Sequence, residues 1–375
     1  MIRYCIILIF LSTLFSCKDQ EHHVKIQVES NNIDPSSERV YISGNHSKFG
    51  FWDPSKIHFD FEEENQKWVG DFKFYSDTTI EFKLTKGSWM TEALTDDEKV
   101  RGNFKVRVTK DTSISLEIKH WKNTDILMGV SGNALLHKDM PTKGLASRHV
   151  IVRFPPSYEY DADKRFPVLY MHDGQNVFNP YTSYTGNDWR VDEVSDSLFA
   201  IDQAEEFIAV AIYNTAKRTN EYSYLTEGQT YASWLVNDLK PFIDSSYRTK
   251  TDPSNTAIMG SSMGGLISFI LTWEYPEVFG KAACLSPAFD IPKYDLSYLS
   301  HVKNDTENLR NIKVYIDNGT EELEKELQPG VDRMMKLLDN KGYNYVWHLD
   351  EGAFHNEKAW SKRVHKPLLF LFGEN

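Results

Sequence analysis

The pattern of apolar and polar positions changes character about a third of the way along the chain. Before residue 120, short runs alternate apolar and polar side chains and are separated by clusters of turn residues, a spacing typical of a β-sandwich. The clearest runs cover residues 24–28, 39–42, 80–84 and 104–108. We therefore predict an all-β sandwich domain over residues 23–120, in which no helix is needed.

From residue 146 onward, apolar runs of strand length alternate with amphipathic helical stripes. The predicted strands cover residues 150–154, 167–171, 207–213, 256–259, 281–285, 312–316 and 345–349. Helical stripes lie between them at 231–239 and at 331–338, where Gly342 ends the second helix. Strands alternating with helices predict an α/β domain over residues 125–375, with a doubly wound, mostly parallel sheet and a site at the carboxyl ends of its strands. Residues 121–145 are interpreted as a linker or entry segment.

Residues 260–264 read Gly-Ser-Ser-Met-Gly and form a G-x-S-x-G motif between a predicted strand and a predicted helix. This is the context of a nucleophile elbow, in which a serine on a tight turn presents its hydroxyl to solvent. By its position in the motif the nucleophile is Ser262 and not Ser261. The alternative is an ordinary Gly-Ser turn, since such motifs also occur in plain loops.

A serine hydroxyl needs a base and an orienting acid, which in this architecture follow in the order Ser, acid, His. His355 lies in a loop beyond the strand at 345–349 and is the candidate base, whereas His348 lies inside that strand. The strand at 312–316 runs into a loop rich in carboxylates: Asp317, Glu321, Glu322 and Glu324. The acid is expected among them.

The loop after the strand at 167–171 is placed to complete an oxyanion hole. In elbow enzymes one donor is the backbone N–H after the nucleophile, here Met263, and a second comes from a loop after a central strand. Gly174 and Gln175 are the candidates for that second donor. The His172 side chain, at the start of this loop, is interpreted as structural.

Three segments, 170–178, 260–265 and 352–360, together resemble the putative esterase family of α/β-hydrolases. That family includes enterochelin-type siderophore esterases, S-formylglutathione hydrolases, and feruloyl and acetyl-xylan esterases. The resemblance covers about residues 125–375 and implies an α/β-hydrolase fold and a serine esterase activity. It also implies that the acid is Glu322, with Glu321 and Glu324 competing for that role.

A second resemblance lies in the N-terminal domain. Residues 43–53, 80–84 and 86–89 are similar to the starch-binding type of carbohydrate-binding module. The resemblance implies that Trp52 and Trp89 stack on sugar faces and that Lys83 binds hydroxyls. The alternative is that both tryptophans are structural and the domain serves as a spacer or lid.

Charge and spacing exclude several other functions. The chain has 375 residues and carries 54 Asp and Glu against 42 Lys and Arg, a balance that argues against a nucleic-acid partner. Cys/His metal spacings, an H-E-x-x-H motif and glycine-rich nucleotide motifs do not occur in the sequence, so we expect no cofactor and no metal. Cys284, in a predicted strand, is expected to be a small core residue.

The first residues look like a targeting segment. Arg3 precedes an apolar stretch at 6–15, and residues 14–17 resemble a bacterial lipobox. We predict a lipoprotein signal peptide over residues 1–17, with Cys17 lipidated and the protein held at the outer membrane, facing the cell surface or the periplasm. The alternative is an ordinary secretory peptide with an incidental Cys17.

These expectations converge on a serine carboxylic ester hydrolase. The sugar-binding resemblance favours the removal of acetyl or feruloyl groups from a polysaccharide or oligosaccharide. Two alternatives stay open: an enterochelin-type trilactone esterase, and a non-catalytic glycan-binding lipoprotein built on a hydrolase scaffold.

Overall fold

The computed structural model describes residues 20–30, 32–122, 126–292, 296–307 and 309–373. The chain forms two compact units that divide between Lys122 and Asn123. The predicted signal peptide and Cys17 lie outside the described residues. Among the residues described, no helix is both long enough and apolar enough to cross a membrane.

The N-terminal unit consists of strands joined by short turns. They are β1 (Glu21–Glu29), β2 (Tyr41–Gly44), β3 (Ile57–His58), β4 (Asp60–Glu62), β5 (Lys67–Tyr75), β6 (Thr78–Thr85), β7 (Phe104–Val108) and β8 (Thr112–Glu117). Single 3₁₀ segments occur at Ser47–Trp52 and Trp89–Thr91.

These strands form two four-stranded sheets, in the orders β4-β5-β1-β8 and β3-β2-β6-β7. Alternate residues of β1, including Val24 and Ile26, point inward and share one apolar core with Trp68 of β5 and Phe82 of β6. The period-2 pattern of β1 reflects this arrangement, since only one face of that strand is buried. The prediction of an all-β N-terminal domain is confirmed.

The C-terminal unit contains the remaining strands and all the α-helices of the described residues. The strands are β9 (Ala134–Met140), β10 (Arg148–Arg153), β11 (Val168–His172), β12 (Ile208–Ile212), β13 (Thr256–Ser261), β14 (Lys281–Leu285), β15 (Asp290–Ile291), β16 (Leu296–Ser297), β17 (Lys313–Gly319) and β18 (Tyr345–Asp350). The helices are α1 (Val191–Ala200), α2 (Arg218–Glu221), α3 (Thr226–Trp234), α4 (Lys240–Ser246), α5 (Met263–Glu274), α6 (Leu299–Asn304), α7 (Leu323–Lys341), α8 (Glu357–Arg363) and α9 (His365–Phe372). A π-helical turn at Leu235–Leu239 joins α3 to α4.

Eight of these strands form one sheet in the order β18-β17-β14-β13-β11-β12-β10-β9. The six strands from β18 to β12 run parallel, and only β10 and β9 pair antiparallel. The fully buried strands β11 and β12 read as continuous apolar runs because both of their faces are covered. The predicted α/β domain with a mostly parallel sheet is confirmed.

The interpretation of residues 121–145 as a linker is wrong in part, because this stretch contains β9. The strand pairs with β10 alone, at the edge of the sheet. Its residues are only partly buried or exposed, and it carries His137, Lys138 and Asp139 in succession. An edge strand of this kind lacks the apolar run or clean alternation that marks a strand in a sequence.

The sheet brings the candidate chemistry to one edge. β11, β13, β14 and β17 are neighbours and run parallel, so the loops that follow them emerge at the same side. The residues expected to form the site lie at the carboxyl ends of these strands and of β18, or in the loops and first helical turns that follow them. Cys284 is buried in β14, where burial raises the pKa of its thiol.

Candidate active site

Ser262 lies between β13 and α5 in a backbone conformation that serine rarely adopts. Its φ is 58° and its ψ is −122°, a strained geometry that persists only when the surrounding structure enforces it. Gly260 permits the turn, since a Cβ there would lie 2.7 Å from the backbone carbon of Gly264. The side chain of Ser262 is partly exposed, whereas that of Ser261 is buried. The G-x-S-x-G segment therefore has the geometry of an elbow.

Two backbone segments beside Ser262 present N–H groups. Met263 is the first residue of α5, and the first N–H groups of a helix have no acceptor within the helix. Asp173 is left-handed, with φ 56° and ψ 47°, and turns the chain into a 3₁₀ segment at Gly174–Asn176. A Cβ on Gly174 would lie 2.6 Å from the backbone of Ala211, so this tight approach requires glycine. The N–H groups of Met263, Gly174 and Gln175 thus follow two directly paired strands, β13 and β11.

His355 lies in the loop between β18 and α8, as expected for the base. Its Nδ1 lies 3.0 Å from Oε2 of Glu324, and only 12% of its side chain is exposed. The edge of the imidazole faces the ring of Trp360, with centroids 5.0 Å apart. Because Nδ1 is engaged with a carboxylate, Nε2 is the ring nitrogen left to exchange a proton with a neighbouring group. Among the described residues, no hydrogen bond joins His355 to the Ser262 hydroxyl; such bonds often tighten only when substrate binds.

The expectation that Glu322 orients the histidine is wrong, since the carboxylate that contacts His355 is Glu324. Glu322 caps α7 with a φ of 50° and is exposed, and Glu321 forms an exposed pair with Lys325. Glu324 is completely buried. It lies on the inner face of α7, together with apolar residues at helical spacing further along: Leu327, Val331, Met334 and Leu338. Extending that stripe backward by three residues from Leu327 identifies Glu324 from the sequence alone.

Glu324 is held in turn by a buried network. Its Oε1 accepts a hydrogen bond of 2.6 Å from the hydroxyl of Ser286. That hydroxyl accepts hydrogen bonds from the Trp360 indole at 3.0 Å and from the Arg363 guanidinium at 2.9 Å. Arg363 also binds both oxygens of Asp317, each at 3.0 Å. Asp317, the other carboxylate that could have served as the acid, is therefore committed to Arg363.

The network is linked to the elbow through the backbone of β14. The N–H of Ser262 donates to the carbonyl of Leu285, the last residue of β14, at 3.0 Å. Ser286 follows directly and has a φ of 43°. This left-handed turn brings its hydroxyl to Glu324, so the loop after β14 contacts both the elbow and the residue that holds His355.

The charges of this buried group do not balance. Asp317 and Glu324 provide two carboxylates, whereas Arg363 provides one cation, and all three are almost fully buried. Burial raises the pKa of Asp317 and is only partly offset by Arg363. Burial alone would lower the pKa of Arg363, but Asp317 outweighs this effect and raises it.

His172 has the structural role expected for it. It is buried, and its Nδ1 lies 2.9 Å from the hydroxyl of Tyr231. Burial lowers the pKa of this histidine to about 3, so the ring is neutral and does not serve as a base at neutral pH. The next residue, Asp173, forms two hydrogen bonds of 2.7 Å with Arg218, which explains why Arg218 is not available as a free cation.

Ser286, Trp360 and Arg363 are the site residues that sequence reasoning missed. Up to 77 positions separate them. Trp360 ends the segment 352–360 that carries the family resemblance, whereas Ser286 and Arg363 lie in none of the motifs. Only the fold brings the three together, so no local signal identified Ser286 or Arg363.

In the N-terminal unit, two of the three expected sugar-contacting residues come together. The rings of Trp52 and Trp89 have centroids 6.4 Å apart and planes inclined by 37°, and both side chains are half-buried. Lys83 differs from expectation. It is 93% buried and pairs with Glu92 at 3.4 Å, although it lies on the face of β6 opposite to the core residues Phe82 and Leu84. The expectation that Lys83 contacts sugar hydroxyls is therefore not supported by its position.

Comparison with known families assigns each unit separately. The family model described as "Putative esterase" matches residues 146–370. The model described as "Starch binding domain" matches residues 23–114.

Known proteins with similar sequences or structures align with more than half of this chain. An endo-1,4-beta-xylanase/feruloyl esterase from Xylanibacter ruminicola is 26% identical over 213 residues, which are 56% of this chain and 27% of that protein. A solved ferulic acid esterase is 22% identical, with a TM-score of 0.55 over 64% of this chain and 97% of its own. The enterobactin esterase FES from Shigella flexneri is 12% identical, with a TM-score of 0.55 over 95% of this chain and 94% of its own. At these identities the two structures show a shared fold.

Proposed function

Because this chain belongs to the putative esterase family of α/β-hydrolases and is a carboxylic ester hydrolase, we propose that Ser262, His355 and Glu324 are its catalytic triad. The observation that carries this proposal is the 3.0 Å contact between Glu324 and His355, close in the fold to a serine in a strained elbow. The serine is presented to solvent, and the histidine is oriented by a buried carboxylate.

The reaction follows from these positions. His355 Nε2 accepts the proton of the Ser262 hydroxyl as its oxygen attacks the ester carbonyl, and the imidazolium then gives that proton to the leaving alcohol. The N–H of Met263, with that of Gly174 or Gln175, stabilises the oxyanion that forms on the carbonyl oxygen. Water, deprotonated by His355, hydrolyses the resulting acyl-serine. The carboxylate of Glu324, 3.0 Å from Nδ1, orients the imidazole and stabilises the imidazolium in both steps.

We propose that the substrate is an acetyl- or feruloyl-type ester on a polysaccharide or oligosaccharide. The match of the N-terminal unit to a starch-binding domain and the half-exposed Trp52 and Trp89 support a glycan. The feruloyl esterases among the similar proteins support an acyl group of this kind. Trp52 and Trp89 are the proposed sugar platform, without Lys83.

A siderophore trilactone is the second candidate, because the structural likeness to the enterobactin esterase extends over 95% of this chain. The charge near the site favours the first candidate. Arg218, beside the elbow, is already neutralised by Asp173, and a further carboxylate, Glu357, lies nearby with its pKa raised by burial. The whole chain carries a net charge of −12, which disfavours an anionic catecholate ligand but not a neutral sugar ester.

Membrane attachment is a separate proposal. The lipobox-like residues 14–17 support lipidation of Cys17 and an outer-membrane location, and both lie outside the described residues. Labelling of the full chain with a radioactive fatty acid in cells tests it, with Cys17→Ala as the control that should abolish incorporation.

We expect Ser262→Ala to lower kcat/KM for p-nitrophenyl acetate by at least about 100-fold, because only binding and the oxyanion hole remain. Ser261→Ala is the matched control and should retain most of the activity. Equal rates for Ser262→Ala and the unmodified protein would exclude Ser262 as the nucleophile.

Glu324→Gln should lower kcat by about 10²- to 10⁴-fold, since the amide no longer holds the imidazole in its productive tautomer. Glu322→Gln, two residues away and exposed, should change kcat by less than about twofold. Circular dichroism of both variants controls for folding. A larger loss in Glu322→Gln than in Glu324→Gln would contradict the assignment.

Rates measured for the purified protein on feruloylated oligosaccharides, acetylated oligosaccharides and a catecholate trilactone should distinguish the substrate classes. We expect kcat/KM at least about 10-fold higher for one of the glycan esters, because the carboxylates near the elbow disfavour an anionic substrate. Higher kcat/KM for the trilactone would establish the second candidate, and Ser262→Ala controls for contaminating esterases.

The full chain should be retarded in a gel containing soluble starch or xylan. Trp52→Ala and Trp89→Ala should each weaken that retardation, because each indole contributes on the order of 1 kcal/mol of stacking energy to sugar binding. Tyr75→Ala, an exposed aromatic elsewhere in the same unit, is the control and should leave retardation unchanged. Unchanged retardation in both tryptophan variants would exclude this platform.

A further inference from the structure

Outside the triad, three carboxylates meet at the start of α1. Asp188, Asp192 and Glu193 each have a carboxylate oxygen within 4.8 Å of the others. Asp192 and Glu193 lie in the first turn of the helix, and Asp188 precedes it by three residues. We expected no metal from the sequence, because the spacing of these three residues matches no metal-binding motif considered above. The turn between Asp188 and α1 brings their carboxylates together.

Two oxygens of this cluster have no hydrogen-bond donor among the described residues. Asp192 is completely buried. Its Oδ2 accepts a hydrogen bond of 2.7 Å from the N–H of Ser131, whereas its Oδ1 is buried and unpartnered. Oε2 of Glu193 is also buried and unpartnered. A buried carboxylate oxygen without a partner carries a large free-energy penalty, so these two atoms need a proton or a cation between them.

The hydrogen bonds and ion pairs of the neighbouring residues do not reach these two oxygens. Arg190 approaches the other oxygen of Glu193, Oε1, at 3.5 Å, and its own side chain is 60% exposed. Asp188 accepts from the backbone N–H of Arg190 through Oδ2 at 3.1 Å.

We propose that Asp188, Asp192 and Glu193 form a binding site for a divalent cation, and that the ion is Ca²⁺. All the donors in the cluster are oxygens, which favours hard cations over zinc or copper. Ca²⁺ accepts irregular sets of six to eight oxygens and tolerates a site completed by water, whereas Mg²⁺ requires near-ideal octahedral geometry. The Glu193 side chain is 40% exposed, so the cluster is open to solvent on one side.

The site would stabilise a loop that supports the catalytic histidine. Asp188 is next to Trp189, whose ring packs on Trp360 with centroids 5.6 Å apart. Trp360 contacts both Ser286 and His355. A cation that holds the Asp188 carboxylate against α1 therefore restrains the surface on which Trp360 rests.

The test is calcium binding by the full chain after treatment with EDTA. Equilibrium dialysis with ⁴⁵Ca²⁺ should show one bound ion per chain, and saturating CaCl₂ should raise Tm by about 5 °C, as expected for a ligand that binds only the folded domain. Asp192→Asn and Glu193→Gln should each abolish the Tm shift. Because Glu193 is partly exposed, its variant should fold even if Asp192→Asn does not.

Glu227→Gln is the matched control, since it removes one carboxylate from the first turn of α3 and should retain both binding and the Tm shift. MgCl₂ should produce a smaller shift than CaCl₂. The proposal is wrong if no ⁴⁵Ca²⁺ is retained by the unmodified chain. It is also wrong if Tm does not change with either ion or with EDTA but rises when the pH is lowered from 8 to 6. In that case the carboxylates of Asp192 and Glu193 would share a proton. Both readouts are independent of esterase activity.

Discussion

The hydrogen bonds that the Ser286 hydroxyl makes with Glu324, Trp360 and Arg363 are the constraint on which the candidate site depends. This one hydroxyl joins the ends of β14, β17 and β18: it follows β14, donates to the first turn of α7 and accepts from two residues of α8. Arg363 extends the group to Asp317. All of these side chains are buried, and removing one partner would leave a buried charge or donor unpaired. The position of His355 is therefore determined by the whole group and not by Glu324 alone.

The same group explains how a negative charge is maintained beneath the histidine. Two buried carboxylates, Asp317 and Glu324, share one guanidinium, and Glu324 is the one that contacts Nδ1 of His355. A carboxylate in that position stabilises the imidazolium that forms when His355 takes the serine proton. The arrangement thus connects packing at the carboxyl edge of the sheet with the step in which an imidazolium forms.

Sequence reasoning succeeded where a property repeats along the chain. Alternation in residues 24–28 and the buried runs of β11 and β13 reflect local burial, so the strands and the two fold classes follow from them. The elbow at Ser262 and the loop histidine His355 also follow, because a motif and a chain order specify them. The strand β9 was not predicted, because its single partner leaves it without a pattern. The burial of Lys83 and its pairing with Glu92 could not be predicted either, because both depend on contacts outside β6.

The choice of acid shows the boundary between these cases. Glu322 was preferred by its distance from a glycine, but that residue has a positive φ and its side chain is exposed. Glu324 was within reach of the sequence, since it continues the apolar stripe of α7 backward. Ser286 and Arg363 could not be predicted from the sequence, because their partners are determined by tertiary contacts between segments up to 77 residues apart.

The most direct test of this account is a double-mutant cycle on kcat/KM with Ser286→Ala and Glu324→Gln. If the Ser286 hydroxyl acts by holding Glu324 against His355, each single variant lowers the rate and the double variant is no slower than Glu324→Gln alone. Losses that multiply in the double variant would mean that the two residues act independently, and would contradict the claim that one buried network positions the histidine.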